Sequence, residues 1–307
     1  EFTMASLVKA RLRFVTWNTC GIKNPSHKFS NILSSLRSMR ADIAFIQETH
    51  IGPNCYQILE KVENWNVYFT VHNPRSKGVA IMIRHEVPFE YICHDEDSSG
   101  GYIVLFCRLY NELYTLVNVY NHKGDKNVLA KLKDYLRETA EGVLVVGGDF
   151  NTVLDPSFDV LTQACRPKQS LLRPFLEDFT SSLNLRDTWS YLNFAPGNFT
   201  RHQNECYSRL DMFFMCNDAM KRVCRSNTES NEISDHNPLV LELRVHQETG
   251  TQIPKVAWLL EETRSDEEPD RRPGKISGAE ILTAIKSLTD SQQRHDTLDV
   301  EYYKSHC

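Results

Sequence analysis

Asp149 and Asn151 stand two residues apart in Val145-Val146-Gly147-Gly148-Asp149-Phe150-Asn151, just past an apolar run over residues 143–146. A carboxylate and a carboxamide at that spacing can orient a water, hold a hard cation or grip a phosphate oxygen. They can also close an Asx turn by bonding their own backbone. The local explanation weakens because the pattern recurs along the chain. Asn18 follows an apolar run over residues 12–17, Glu48 follows one over residues 42–47, and Tyr120 ends one that begins at Leu113. Asp211 lies inside Arg209-Leu210-Asp211-Met212-Phe213-Phe214, and Ser234-Asp235-His236-Asn237-Pro238 precedes the last apolar run. A cap or a turn explains any one of these. Together they point to one shared site.

An aspartate inside an apolar strand is costly to bury without a partner, and His236 is the natural one for Asp211. A carboxylate on one imidazole nitrogen fixes the tautomer and leaves the other nitrogen for a substrate. Carboxylates and amides are hard oxygen donors, the set that suits Mg²⁺, with Mn²⁺ as a substitute. No His-x-x-His or paired thiolate points to zinc. A divalent ion, an aspartate base, amide donors and an aspartate-supported histidine fit hydrolysis of a phosphate ester. Asp149 would orient or deprotonate the attacking water, while the ion and His236 offset charge on the pentacovalent transition state. Two other chemistries lack their motifs: Gly147-Gly148 has no following Lys-Ser/Thr of a Walker loop, and no Gly-x-Ser-x-Gly elbow exists.

The elements that must present these residues are strands. Beside the runs already named, strand-like segments fall at residues 65–71, 78–84, 89–93, 102–109, 209–216 and 239–245, with antiparallel neighbours expected from residue 65 to 120. The two glycines before Asp149 are expected to turn the backbone tightly beyond their strand. Helical spacing marks Phe29, Ile32, Leu33, Leu36 and Met39, then Val128, Leu129, Leu132 and Leu136, then Leu172, Phe175, Leu176 and Phe179. A short helix is expected over residues 56–62. The mixture predicts an α/β fold: two packed mixed or antiparallel β-sheets flanked by helices, a four-layer α/β sandwich.

The chain of 307 residues is 41% hydrophobic and 24% charged, the composition of an ordinary globular protein. Nine cysteines without a Cys-x-x-Cys pair predict reduced thiols in an intracellular protein. No run of 18 apolar residues exists, so no membrane-spanning helix is expected. Net charge is −5, of which residues 247–307 hold −4, so no basic surface announces nucleic acid. Residues 1–10 read as a disordered start, with Glu1-Phe2-Thr3 before Met4 resembling a cloning remnant or an upstream frame. Residues 11–246 read as the catalytic domain. Residues 247–307 read as a charged, proline-bearing linker and one amphipathic helix behind the capping box Ser277-Gly278-Ala279-Glu280.

Trp17-Asn18, Gln47-Glu48-Thr49-His50, Asn118-Val119-Tyr120, Gly148-Asp149-Phe150-Asn151, Arg209-Leu210-Asp211 and Ser234-Asp235-His236 resemble, in order, the motifs of the endonuclease/exonuclease/phosphatase family. Gln-Glu-Thr-His and Ile233-Ser-Asp-His-Asn-Pro look most like the endonuclease domain of LINE-type, non-LTR retrotransposons. The resemblance implies a Mg²⁺-dependent enzyme that nicks DNA, leaving a 3′-hydroxyl that can prime reverse transcription, as a monomeric catalytic domain working in the nucleus. It implies Glu48 as the principal metal ligand, supported by Asn18, Asp149 and Asp235. It implies Asp149 as activator of the water, Asn151 as holder of a phosphate oxygen, and Tyr120 at the scissile phosphate. His236, held by Asp211, would stabilise the phosphorane, with Ser234 on the substrate side. Thr200 matches a threonine placed near DNA, and the residues from there to Ser208 would form a hairpin near the groove.

Abasic-site enzymes of this family carry an aspartate two residues after the Asn18 equivalent, where this chain has Cys20, and a thiol is a poor Mg²⁺ ligand. Residues 199–210 also lack the aromatic-rich run expected of abasic-site enzymes. A phosphatase of inositol-type substrates would need a cationic loop, for which only Arg75-Ser76-Lys77 offers itself. Abasic-site repair, small-molecule phosphatase activity and a non-catalytic scaffold of the same fold are the alternatives. No Asp-Asp pair exists anywhere, so the paired aspartates of a reverse transcriptase are absent.

Overall fold

The computed structural model describes residues 11–245 apart from 25, 124, 163–169, 194, 196 and 204. The leading stretch, the linker and the tail helix read from the sequence lie outside the described residues. β1 (Arg11–Asn18) leads into α1 (Lys28–Ser38) and then β2 (Ile43–Gln47), which runs parallel to β1. A helical turn, α2 (Gln57–Glu60), precedes the antiparallel pair β3 (Trp65–Phe69) and β4 (Val79–Arg84). β5 (Phe89–Glu96), β6 (Tyr102–Leu109) and β7 (Glu112–Tyr120) then form an antiparallel meander. Through α3 (Val128–Thr139) the chain crosses to β8 (Val143–Asp149), parallel to β7.

Shorter pieces follow: the turn α4 (Pro156–Asp159), β9 (Val160–Thr162), α5 (Arg173–Ser182), β10 (Leu185–Asp187) and α6 (Thr188–Leu192). The hairpin of β11 (Arg201–Gln203) and β12 (Cys206–Ser208) forms where the sequence placed one. β13 (Asp211–Cys216) pairs with β8, and after a 3₁₀ turn over Asn217–Arg222 the strands β14 (Val223–Thr228) and β15 (Leu239–Arg244) return to β1.

Two six-stranded mixed sheets result, in the orders β14-β15-β1-β2-β4-β3 and β10-β13-β8-β7-β6-β5, with a small sheet β11-β12-β9 beside them. They stack face to face on Phe14, Phe45, Leu105, Leu116, Val145, Phe213 and Leu241, all fully buried. A Phe14–Phe45–Phe213 ring cluster at 5.7–6.4 Å between centroids ties β1 and β2 of one sheet to β13 of the other. The outer face of the first sheet packs Val15, Trp17, Ala44 and Ile46 against Ile32 and Leu36 of α1, and α3 packs on α5. The four-layer sandwich read from the sequence is the fold.

Two local expectations change. β4 and β5 are not neighbours: β4 lies inside the first sheet, while β5 is the edge of the second. The alternation of an antiparallel run is the same whether consecutive strands pair or part, so spacing could not tell them apart. Gly147 and Gly148, expected to turn the chain past its strand, are residues of β8 itself. A Cβ on Gly147 would strike the Phe213 ring, and one on Gly148 (φ +150) would strike the Val119 carbonyl. Their smallness lets two strands and a ring close up beneath Asp149.

Sequence periodicity missed β9, β10, α4 and α6, which are too short to show a period, and β14, whose Val-Cys-Arg-Ser-Asn-Thr holds no apolar run. A buried ionic knot organises several of them. Arg209, 2% exposed, reaches Asp159 at 2.7 Å and Asp187 at 2.8 Å and lies over the Trp189 ring. Asp159 also accepts from the amides of Leu154 and Asp155, and Asp187 caps α6 through Trp189 N and Ser190 N. Removing the cation strands two buried carboxylates, which costs about 3–5 kcal/mol. Arg209→Met is therefore expected to lower the melting temperature by about 6–20 °C at about 2–4 °C per kcal/mol for a domain of this size. A calorimetric shift below about 2 °C would remove the knot from the stability of the domain.

Candidate active site

Sheet register assembles the site from residues far apart in the chain. In the second sheet Tyr120 on β7, Asp149 on β8 and Asp211 on β13 are direct cross-strand partners, so they form one row. In the first sheet Asn18 ends β1 opposite Gln47, the last residue of β2, which puts Glu48 one step beyond. Gln47 and Asn118 join the sheets below: Gln47 donates to Asn118 Oδ1 at 2.7 Å, and Asn118 donates to the carbonyls of Ile46 and Ala80. Both amides are fully buried, and this bond holds the two strand-end rows at a set separation.

Asn18 is the bridge at the surface of that joint. Its Nδ2 donates to Glu48 Oε1 at 2.9 Å and to Asp149 Oδ2 at 2.8 Å, while its Oδ1 accepts from the Cys20 amide. The reversed amide would face oxygen to carboxylate and NH₂ to N–H, so only this orientation satisfies all three bonds. Asn18 thus organises the carboxylates through its nitrogen. Asn151 N and Nδ2 both donate to Asp149, at 2.8 and 3.3 Å. Burial alone would raise the Glu48 carboxyl, but hydrogen bonds from His50, Asn18 and Tyr120 outweigh it and hold the group at about 2. Asp149 moves the other way: burial first, then the charge of Asp211, push it well above the ordinary carboxylate range. The Tyr120 hydroxyl is raised by burial and by the Glu48 charge beside it, so it stays protonated.

His236 closes the far side. Its Nδ1 lies 2.8 Å from Asp211 Oδ2 and its Nε2 4.0 Å from Asp149 Oδ2. The backbone of His236 is pinned: Trp17 Nε1 and Asn231 Nδ2 donate to its carbonyl, and its amide donates to Ser234 Oγ. Burial opposes ionisation of the imidazole, but Asp211, Asp149 and Asp235 overcome it and raise the group to about 9. At neutral pH a protonated His236 presents Nε2–H.

The remaining sequence-derived positions fall in different places. Asp235 lines the cleft, its carboxylate accepting from Cys20 Sγ at 3.0 Å and facing Arg201 Nε at 3.3 Å. Ser234 Oγ donates to the Asn18 carbonyl, tying the His236 loop to β1. Thr200, expected near a bound strand, is fully buried, and its hydroxyl accepts from the amides of Leu210 and Asp211. It braces Asp211 from behind. Lys123, His122 and Arg201 also line the cleft, and sequence reasoning assigned them no role. The clue was Tyr120-Asn121-His122-Lys123, where basic residues continue directly past a strand end.

Four non-glycine residues here hold left-handed backbone: Cys20 (φ 48), Glu48 (φ 53), His50 (φ 54) and Asn151 (φ 50). Each such conformation costs of order 1–3 kcal/mol and persists only where its surroundings over-determine it. Their concentration around one cleft re-aims side chains that straight strands would point elsewhere.

A cation fits the charge balance of this donor set. Glu48, Asp149 and Asp235 line the cleft with Asp211 behind His236, against His236, Arg201 and Lys123. Asp149 and Asp211 offer carboxylate oxygens within 4.8 Å of one another beside His236, and Asp211 Oδ1 is buried without a hydrogen-bond partner. A surplus of negative charge on hard oxygen atoms suits a divalent ion.

The profile of the endonuclease/exonuclease/phosphatase family matches residues 15–236. The Transposon TX1 uncharacterized 149 kDa protein of Xenopus laevis is 27% identical over 261 residues, which cover 80% of this chain. The match spans only 19% of that relative, about a fifth of its length. Among solved structures, the AP endonuclease LMAP from Leishmania major superposes with TM-score 0.66 at 16% identity, covering 77% of this chain and 88% of that one. The endonuclease domain of TRAS1, a telomere-specific non-LTR retrotransposon, superposes with TM-score 0.58 at 17% identity, covering 78% of this chain and all of that domain. With its two-sheet fold, its strand-end cleft and a profile match across most of its length, the chain belongs to the endonuclease/exonuclease/phosphatase family.

Proposed function

We propose that this chain is a divalent-metal-dependent DNA endonuclease that nicks a phosphodiester bond and leaves a 3′-hydroxyl able to prime reverse transcription. The observation that carries the reading is the convergence of Glu48, Asn18 and Asp149 with the Asp211–His236 pair at one cleft. Glu48 and Asp149 would hold Mg²⁺ or Mn²⁺, with Asp235 on the same side. The ion, when bound, supplies positive charge to the phosphate. Asp149, held in place by Asn18 and Asn151, takes the proton of the attacking water. Asn151 positions a phosphate oxygen and Tyr120, still protonated, donates to the phosphate or the leaving oxygen. His236 donates from Nε2 to the oxygen that gains charge, and Asp211 keeps it oriented and charged. Lys123 and Arg201 supply cations for flanking phosphates, which suits a polyanionic substrate although the chain as a whole is acidic.

The transposon relative and the retrotransposon neighbour favour DNA over a small phosphorylated metabolite, and a DNA target would put its work in the nucleus. Among the described residues no helix is long and apolar enough to cross a membrane. The direct test is supercoiled plasmid with Mg²⁺ or with chelator: conversion to the open circle is expected only with the metal. Cys20 stands where abasic-site enzymes carry an aspartate, a departure that speaks against the repair reading. Abasic duplexes are expected to be cut no faster than undamaged DNA with flexible pyrimidine–purine steps. An abasic preference of about 100-fold, a difference of about 2.7 kcal/mol, would transfer the chain to repair. Phosphate release from inositol polyphosphates would assign it to the phosphatases.

A further inference from the structure

Cys20 and Asp235 meet at the rim of the catalytic cleft, with Cys20 Sγ 3.0 Å from Asp235 Oδ1. The contact joins segments 215 residues apart, and both are fastened to Asn18. The Cys20 amide donates to Asn18 Oδ1 at 3.0 Å, and Ser234 Oγ donates to the Asn18 carbonyl at 2.7 Å. Beyond the thiol, the Cys20 carbonyl accepts from Lys28 Nζ and the Gly21 amide donates to the Glu48 carbonyl. Arg201 Nε faces Asp235 Oδ2 at 3.3 Å, which turns Oδ1 toward the thiol. Cys20 is exposed and the Asp235 side chain is 43% exposed, so solvent reaches both donors. As a strut for Asp235 the thiol is a poor choice, because S–H is a weaker donor than a hydroxyl. As a metal donor it is a soft atom set among hard carboxylate oxygens.

We infer that Cys20 and Asp235 hold a thiophilic divalent cation, of the class of Zn²⁺ and Cd²⁺, which opposes Mg²⁺ in the same cleft. Thiolate and carboxylate together suit such ions, whereas Mg²⁺ gains little from sulfur. A tetrahedral ion with bonds of about 2.3 Å to sulfur and about 2.1 Å to oxygen separates those two donors by about 3.6 Å, so the pair must part by about 0.6 Å. Side-chain rotation at an exposed rim supplies that movement. Binding forms the metal–sulfur bond, breaks S–H and releases the proton to water, with no change of oxidation state. Glu48 and Asp149 line the same cleft, so an ion on Cys20 repels a second cation that those carboxylates would hold. The binding stands on the geometry alone, while the opposition to Mg²⁺ rests on the endonuclease reading.

The test uses the full chain, freed of metal and then of chelator, with Cd²⁺ alone as the spectroscopic probe. Wild type is expected to show more ultraviolet cadmium–thiolate absorbance than Cys20→Ser, by one thiolate per chain, the other eight of its nine cysteines being common to both. Asp235→Asn keeps the thiol and removes the charge beside it. It is expected to need at least about 10-fold more Cd²⁺ for the same absorbance, since loss even of a ligand's outer-shell partner costs about 10- to 100-fold in metal affinity. In plasmid nicking at fixed Mg²⁺, Cys20→Ser is expected to tolerate at least about 10-fold more Zn²⁺ than wild type, each protein measured against its own zinc-free rate. Serine replaces an exposed side chain and still donates to Asp235, so Cys20→Ser is expected to melt as wild type does. Equal absorbance in the two proteins, or equal inhibition by Zn²⁺ where both nick, overturns the proposal and leaves the endonuclease reading standing. A Cys20-dependent band in a chain that nicks no DNA with any metal upholds the site and overturns the endonuclease reading.

Discussion

Glu48→Gln is expected to lower Mg²⁺-dependent nicking by about 10³-fold, because a metal ion supplies several kcal/mol at the transition state and about 1.4 kcal/mol is tenfold in rate. The substitution is nearly isosteric and leaves an oxygen able to accept from Asn18 Nδ2, as Glu48 Oε1 does at 2.9 Å. What it removes is the charge. Asp149 then faces Asn18 with one anion fewer across the cleft, and the surplus negative charge that favours a divalent ion shrinks. The fold is expected to hold, since Glu48 is only partly buried and the His50 ion pair it gives up is partly exposed as well. The comparison to make is nicking rate across a Mg²⁺ titration, with melting temperature measured on the same samples. Full activity at saturating Mg²⁺ would take Glu48 out of the site. A lost fold would instead show as a melting transition far below that of wild type.

Asp211→Asn and His236→Gln are each expected to slow nicking by about 10²–10⁴-fold, the range for a positioned proton donor. The double substitution is expected to cost little more than either alone. Groups that act as one unit are non-additive, and the 2.8 Å Nδ1–Oδ2 bond makes them one unit. If Asp211 only satisfied strand-end amides, its loss would reduce stability more than turnover, and the losses of the double variant would multiply. Multiplicative losses would end the pairing.

The pH profile separates the two accounts further. Burial would lower the imidazole, yet Asp211, Asp149 and Asp235 together raise it to about 9. A histidine raised above its unfolded value of about 6.5 contributes stability that is fully present below that pH. The contribution is lost as pH rises through about 9. In metal-free protein the melting temperature is therefore expected to decline across this window, and His236→Gln should flatten the decline. In Asp211→Asn the leading attraction is gone, so the alkaline limb of the rate profile should move to lower pH. A limb that stays in place would mean that the carboxylate does not govern the charge on the ring.

Much of the site was legible before any fold was known. Asn18, Glu48, Tyr120, Asp149, Asp211 and His236 could be picked out because each ends, precedes or sits inside an apolar run, and apolar periodicity is a local signal read within a short window. The same signal yielded most strands of both sheets and the helices α1, α3 and α5, while the hairpin after Thr200 came from the family resemblance. The Asp211–His236 pairing was also within reach, since an aspartate in an apolar strand needs a partner.

Other features belong to the tertiary structure alone. Asn18 reaches Asp149 across 131 residues of sequence and Glu48 across 30, and no local pattern encodes which nitrogen faces which carboxylate. The parting of β4 from β5 follows from which faces the packed sheets bury, and strand spacing does not carry that information. The family resemblance put Thr200 near bound DNA, yet its hydroxyl is consumed by the amides of Leu210 and Asp211 behind the site. Gly147 and Gly148 looked like a turn, because glycine marks close approach as readily as it marks a bend. Only the Phe213 ring and the Val119 carbonyl show which of the two applies. Residue type and periodicity are properties of a segment and survive in the sequence. Register, orientation and burial are properties of pairs of segments brought together by the core, and for these the partner must be known.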